Sequence, residues 1–277
     1  MVSAVSNPTQ ISIDDLSTLI GTANCPVLIE GRNDEDFALD PRMIPGSFRL
    51  SCFEAEEWAP QFRDRSVVVI CDKGLKLSQG AAAWARRAGV DARALEGGFR
   101  GWRDSGQPVA DLTHLPPRDD KGRTVWVTRA RPKIDRIACP WLIRRFIDPN
   151  AVILYIKDSE VAGVAEKFGA TPFDVDGVFW SHRGDRCTFD TMVAEFGLET
   201  DSLLQLATII RGADTGRPEL APESAGLLAI ALGQSHQYQN DLDQLEAGMG
   251  IYDALYLRIR DAAAETHTWT PSKAGVA

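Results

Sequence analysis

Cys71 stands at the end of the apolar run Val67-Val68-Val69-Ile70 and opens the stretch Cys-Asp-Lys-Gly-Leu-Lys-Leu-Ser over residues 71–78. An alanine-rich segment over 79–87 follows. The pattern is a buried strand that delivers one thiol to a turn opening a helix. Successive backbone N–H groups in such a turn, together with the helix N-terminus, favour an anion and lower a thiol pKa. Lys73 and Lys76 add positive charge. The chemistry this suits is a nucleophilic thiolate acting on an anionic substrate. A cysteine at a strand end also packs simply as a small apolar residue.

A second concentration of chemistry lies over residues 126–149. A strand, a basic turn and a helix over 140–146 started by Pro140 would place Arg129, Arg131, Lys133 and Arg136 around a helix N-terminus. That geometry suits a divalent oxyanion. Cys139 falls at the N-cap of this helix, where a thiolate is also favoured. The alternative is that Cys139 packs and the arginines pair with the acidic helices that follow.

The elements that must hold these residues read as two domains. The chain has 277 residues, 44% hydrophobic and 25% charged, enough for two separate cores. No apolar run has spanning length, so no membrane association is expected. The first residues lack a basic region followed by an apolar one, so no signal peptide is expected. Five scattered cysteines fit a reducing cytoplasm better than a disulfide scaffold. Net charge is −9, yet residues 118–145 carry 9 basic and 3 acidic side chains. A basic island in an acidic chain points to local anion capture and argues against a nucleic-acid surface.

Over residues 10–110, short apolar strands at 27–29, 67–70 and 92–95 alternate with helices at 11–20, 34–39, 54–62 and 80–88. Ser12 is the expected cap of the first helix. This alternation predicts a mostly parallel sheet with helices on both faces, an α/β domain. Residues 111–123, rich in proline and charge, read as a linker. Residues 124–265 form a helix-rich α+β domain, with strands at 125–127 and 152–156 and helices at 159–168, 189–196, 203–211, 224–232 and 241–264. Residues 266–277 read as a disordered tail. Trp126, Trp141 and Trp180 are expected in the core.

The first domain resembles a rhodanese (sulfurtransferase) domain. Leu28-Ile29-Glu30-Gly31-Arg32 followed by Glu35-Asp36-Phe37 resembles the family's early strand and helix. Met43-Ile44-Pro45-Gly46-Ser47 is similar to its His-Ile-Pro-Gly-Ala turn, and the Cys71 loop to its active site. Leu95-Glu96-Gly97-Gly98-Phe99-Arg100-Gly101-Trp102 is similar to its closing motif. The resemblance implies that Cys71 takes up a sulfane sulfur as a persulfide and passes it to a nucleophile. The backbone of residues 72–77, Gly74 included, would be the anion cradle, Lys73 and Lys76 electrostatic assistants, and Ser78 a hydroxyl at the helix start. Glu30 replaces the family's usual Asp and Met43 its usual His. The spacing from cysteine to serine is one residue longer than the commonest loop, and Lys76 stands where Arg is frequent. The loop has no arginine for bidentate phosphate contacts, which argues against phosphatase action.

The stretch from Trp126 to Pro149 resembles the C-terminal domain of the chromate-resistance protein ChrB family. Ser181-His182-Arg183-Gly184-Asp185-Arg186-Cys187-Thr188-Phe189-Asp190, Ile210-Arg211-Gly212-Ala213-Asp214-Thr215, residues 220–228 and residues 246–256 continue the likeness in order. It implies a role in chromate resistance. Chromate is a tetrahedral dianion, so Arg129 and Arg136 with His182 make a ligand set, with Arg131, Lys133 and Arg183 nearby in sequence. A metal site is the rival reading. His182, Cys187, Asp190, Asp214 and His236 are suitable ligand types, though their spacing matches no compact zinc pattern. No cofactor is expected otherwise.

Three functions follow as expectations. One is a cytoplasmic sulfurtransferase working through Cys71, fused to a module that binds chromate or sulfate. Another is a non-catalytic chromate-responsive sensor. The third is a thiol-dependent oxyanion reductase with Cys139 or Cys187 resolving Cys71. The partners expected are a small anionic substrate, such as a sulfur donor, chromate or sulfate, with a homodimer as a further expectation.

Overall fold

The computed structural model describes residues 8–265. The first seven residues and residues 266–277, with the expected tail and His267, lie outside them.

The first half is built from β1 (Gln10–Ile11), α1 (Ile13–Leu19), β2 (Val27–Glu30), α2 (Asp34–Leu39), β3 (Ser47–Arg49), α3 (Ala55–Trp58), β4 (Ser66–Ile70), α4 (Lys76–Arg87), β5 (Asp91–Leu95) and α5 (Gly98–Asp104). Its five strands are all parallel, in the order β1-β5-β4-β2-β3. The apolar runs of β2 and β4 have no polar side because both faces of the sheet are covered. Leu28, Val68 and Ile70 point to the face carrying Leu16, Phe99 and Trp102. Val27, Ile29, Val67 and Val69 point the other way, onto Trp58, Phe62, Ala81, Ala82 and Ala85. That split is the period of two expected of strands.

Two boundaries differ from the sequence reading. The segment over 11–20 begins as a strand, with Ile11 beside Leu95. Ser12 is nevertheless the cap and accepts a hydrogen bond from Asp15 N–H. The helix behind Cys71 begins at Lys76 rather than at residue 80, so Ser78 belongs to its first turn.

The second half has β6 (Val125–Arg129), α6 (Asp135–Leu142), β7 (Val152–Ile156), α7 (Val161–Phe168), β8 (Thr171–Pro172), α8 (Thr188–Glu195), α9 (Asp201–Asp214), α10 (Ser224–Gln237) and α11 (Asp241–Asp261). The strands form a parallel sheet in the order β7-β6-β8. Trp126, Trp141 and Trp180 are buried, as expected.

The helix predicted to start at Pro140 instead starts at Asp135 and runs through the proline, with a π-helical turn at Ile143–Ile147 behind it. Proline inside a helix leaves the carbonyl four residues back without its N–H partner. Here that carbonyl belongs to Arg136, and the Tyr155 hydroxyl donates to it at 2.6 Å. Cys139 is therefore a buried mid-helix residue and not an N-cap.

The core is continuous between the two halves. Gly46 N–H donates to Phe146 C=O at 2.6 Å, and Arg260 donates to the carbonyls of Thr18 and Ile20. The segment over 111–123 is fastened along its length. Asp111 N–H donates to Phe196 C=O, and Arg118 pairs with Asp148 at 3.1 Å.

Candidate functional site

Cys71 sits at the carboxyl end of β4, beside the carboxyl end of β2, where Glu30 and Arg32 form a buried bidentate ion pair. The Arg32 guanidinium also lies 3.6 Å over the Phe99 ring. Cys71 Sγ is 3.1 Å from Ser78 Oγ. The thiol thus lies against the first turn of α4, a helix whose start has no side-chain cap.

The loop before α4 is clamped by the turn that starts α5. Phe99 N–H donates to Cys71 C=O at 2.9 Å and Arg100 N–H to Asp72 C=O at 3.0 Å, while the Arg100 side chain pairs with Asp72 at 2.8 Å. Gly74 and Gly98 have φ of +67° and +61° and face each other's backbone. Lys73 and Lys76 are exposed at the mouth of the loop, Gly74 and Ser78 buried beneath them. Of the residues expected around the Cys71 thiol, Ser78 is in direct contact with it.

Of the expected oxyanion set, Arg129, Arg136 and His182 meet around Asp174, at 3.4, 3.3 and 3.4 Å, whereas Arg131, Lys133 and Arg183 turn elsewhere. Arg131 turns to the end of α10, where it donates to the carbonyls of Ser235 and Tyr238. Arg183 pairs with Glu195 and stacks on Phe179. Lys133 is half-buried beside Ile134, Ile137 and Leu227. Arg129 and Arg136 share Asp174, at 3.4 and 3.3 Å, and Arg136 also donates to the carbonyls of Arg129 and Ala130. Asp174, which lies in a loop and not in one of the acidic helices expected to pair with them, is the carboxylate beside both Arg129 and Arg136.

His182 faces carboxylates rather than an anion pocket. Its Nε2 is 3.5 Å from Asp135, 3.4 Å from Asp174 and 3.3 Å from Asp214. The carboxylates of Asp174 and Asp214 beside it outweigh burial and hold the imidazole up to about 10. Asp135 is fully buried, and burial followed by the charges of Asp214 and Asp174 pushes its carboxyl well above the ordinary range. Burial would also raise Asp174. Hydrogen bonds from His182 and Thr188 and the charges of Arg136 and Arg129 outweigh it and leave that carboxyl below the ordinary range.

Among the described residues, three non-glycine residues have positive φ: Arg131 at +56°, Ile134 at +27° and Asp174 at +51°. Ile134 precedes Asp135 and Asp174 borders this cluster, and such conformations persist only where the surroundings enforce them.

Of the expected metal ligands, His182 and Asp214 meet here, and Asp135 completes the trio. Asp190 is taken by Arg211 at 2.6 Å and by Cys187 N–H at 3.0 Å. His236 is exposed on α10. Cys139 and Cys187 have no exposed surface, and burial first, then the Asp135 charge, pushes both thiols well above the usual range. That opposes the reactivity a resolving thiol needs. Asp135 and Asp174 were not singled out from sequence. The available signal was an acid set between core residues, as in Ile134-Asp135 and Phe173-Asp174-Val175.

Residues 12–105 match the model of the rhodanese-like domain, and residues 126–259 match that of the ChrB C-terminal domain. Protein ChrB of Cupriavidus metallidurans is 37% identical over 155 residues, which cover 54% of this chain and 46% of that protein. The chain therefore spans about half the length of this curated relative. Among solved structures, a protein of unknown function and possible tyrosine phosphatase from Rhodopseudomonas palustris aligns at 25% identity, covering 39% of this chain and 98% of that one, with a TM-score of 0.32. A rhodanese-related protein from Thermoplasma volcanium aligns at 24% identity, covering 36% of this chain and 96% of that one, also with a TM-score of 0.32. No helix among the described residues is long and apolar enough to cross a membrane.

Proposed function

We propose, on the premise that the chain joins a rhodanese-like domain to a ChrB C-terminal domain, that it is a sulfurtransferase serving chromate resistance. The observation that carries this reading is the thiol of Cys71, 3.1 Å from Ser78 Oγ at the uncapped start of α4.

The Cys71 thiolate attacks the outer sulfur of a sulfane donor such as thiosulfate. A new S–S bond forms, the donor's S–S bond breaks, and sulfite leaves with the electron pair. The persulfide anion then lies where the helix N–H groups and the Ser78 hydroxyl can donate to it. An acceptor thiolate or cyanide attacks the outer sulfur, and the electron pair returns to Cys71. The exposed Lys73 and Lys76 draw anionic donors to the loop. The tie to chromate rests on the likeness of the second domain to ChrB, and oxidative loss of cellular thiols is the stress that sulfur transfer would answer.

The test is formation of thiocyanate from thiosulfate and cyanide, with mass spectrometry of Cys71 for one added sulfur atom. Wild type should turn over and Cys71→Ser should not. Ser78→Ala should lower kcat/KM about 10-fold, the size of one hydrogen bond to a charged group. A wild-type protein that neither turns over nor takes up sulfur from thiosulfate or low-molecular-weight persulfides would refute the enzyme and favour a sensor role.

A further inference from the structure

We propose that Asp135, His182 and Asp214 bind one divalent first-row transition-metal ion of the zinc type. The three come from the start of α6, the loop before α8 and the end of α9. One ligand atom from each lies within 4.8 Å of the other two.

The spacing favours an ion over a hydrogen-bond network. His182 Nε2 is 3.3–3.5 Å from carboxylate oxygens of three separate residues. An imidazole nitrogen has at most one proton to donate and prefers about 2.7–3.2 Å, so it cannot serve three acceptors. Ligand atoms arranged tetrahedrally at about 2.0–2.1 Å from a zinc ion stand about 3.3–3.4 Å from one another. The 3.3 Å from His182 to Asp214 matches that edge, and the 3.5 Å to Asp135 is slightly longer.

Asp135 supplies an independent sign. It is fully buried, and its Oδ2 accepts from Thr188 N–H at 2.6 Å. No donor meets Oδ1 at hydrogen-bonding geometry. A buried carboxylate with one oxygen lacking a donor calls for a cation beside it; its other oxygen, Oδ2, is the one 3.5 Å from His182 Nε2.

The surroundings hold the trio as the outer partners of a metal do. Asp174 borders it, fixed by Arg129, Arg136 and the Thr188 hydroxyl. The His182 side chain is 40% exposed, which gives an ion a path in from solvent. Nitrogen and carboxylate donors select zinc, manganese or iron(II) over copper(I). Three protein ligands leave a fourth position for water or for Asp174. Nothing in this site depends on Cys71.

The test uses the full chain freed of metal with a chelator and then titrated calorimetrically with Zn²⁺. Bound metal is counted by mass spectrometry, and Co²⁺ serves as a spectroscopic probe. We expect one ion per chain and the intense visible bands of tetrahedral Co²⁺ without thiolate charge transfer. His182→Gln and Asp214→Asn should each weaken binding more than about 100-fold, beyond the loss of an outer partner, while His236→Gln and Cys71→Ser leave it unchanged. Far-UV circular dichroism establishes that each variant is folded, and Asp135 is left intact for that reason. Absence of stoichiometric binding, unchanged binding in both ligand variants, or a thiolate charge-transfer band lost in Cys71→Ser would each overturn the site.

Discussion

Gly98→Ala tests whether the Cys71 loop is held by backbone-to-backbone packing. A Cβ at Gly98 would collide with Cys71 O and Gly74 N and stand 2.9 Å from Asp72 C, all main-chain atoms that cannot rotate aside. The residue also has φ of +61°, which costs a non-glycine residue about 1–2 kcal/mol. Overpacking adds about 1–3 kcal/mol, and the stiffer unfolded chain returns about 0.4–1 kcal/mol. The net loss is about 1–5 kcal/mol, a large share of the ~5–15 kcal/mol that stabilises a typical domain.

Gly101→Ala, one turn further along α5, is the matched control. Its Cβ would meet the movable end of the Ile13 side chain at 3.2 Å and the Glu96 carbonyl at an ordinary 3.7 Å, and alanine inside a helix is favoured by about 0.5–1 kcal/mol. Urea unfolding of both variants with wild type, followed by tryptophan fluorescence, gives the comparison, and thiocyanate formation reports the loop. Gly98→Ala should unfold at clearly lower urea and lose sulfur transfer, and Gly101→Ala should stay near wild type in both. Equal midpoints for the two variants would refute the packing argument.

Tyr155→Phe removes the donor that satisfies the Arg136 carbonyl freed by Pro140; it should cost about 1–3 kcal/mol, read as a lower Tm, and an unchanged Tm would refute the role given to that hydroxyl. Arg32→Ala leaves the Glu30 carboxylate buried without its partner and should cost about 3–5 kcal/mol, whereas Arg32→Met with Glu30→Gln should recover much of it. Asp40, held at about 2 by hydrogen bonds from Arg42 and then Arg103, has a folded pKa below its unfolded one. Its contribution is complete above about pH 4 and is lost as pH falls through 2, amounting to at most about 1 kcal/mol after solvent screening. Wild type and Asp40→Asn should therefore differ in urea midpoint at pH 6 and converge near pH 2.

The first domain was legible because its signals are local. Apolar runs such as Val67–Ile70 can only be strands buried on both faces, and glycines at 97 and 98 mark a turn that other residues resist. Cys71 and Ser78 meet through seven residues of chain, so their pairing follows once the strand and helix are placed. Trp126, Trp141 and Trp180 were assignable to the core on hydrophobicity alone.

The second domain turned on contacts that sequence spacing does not encode. Pro140 reads as a helix start, but the Tyr155 hydroxyl from β7 lets the helix run through it. Residues 129–136 read as an oxyanion cradle because their charges cluster along the chain. In the fold, Asp174 comes back to take both Arg129 and Arg136. The sequence by itself determined the two domain types and the place of Cys71 between a strand and a helix, since strand, turn and helix signals act within a few residues. Only the tertiary structure decided that His182 meets Asp135 from 47 residues away and Asp214 from 32, because burial and folding-distant charge, not spacing along the chain, set the character of that site.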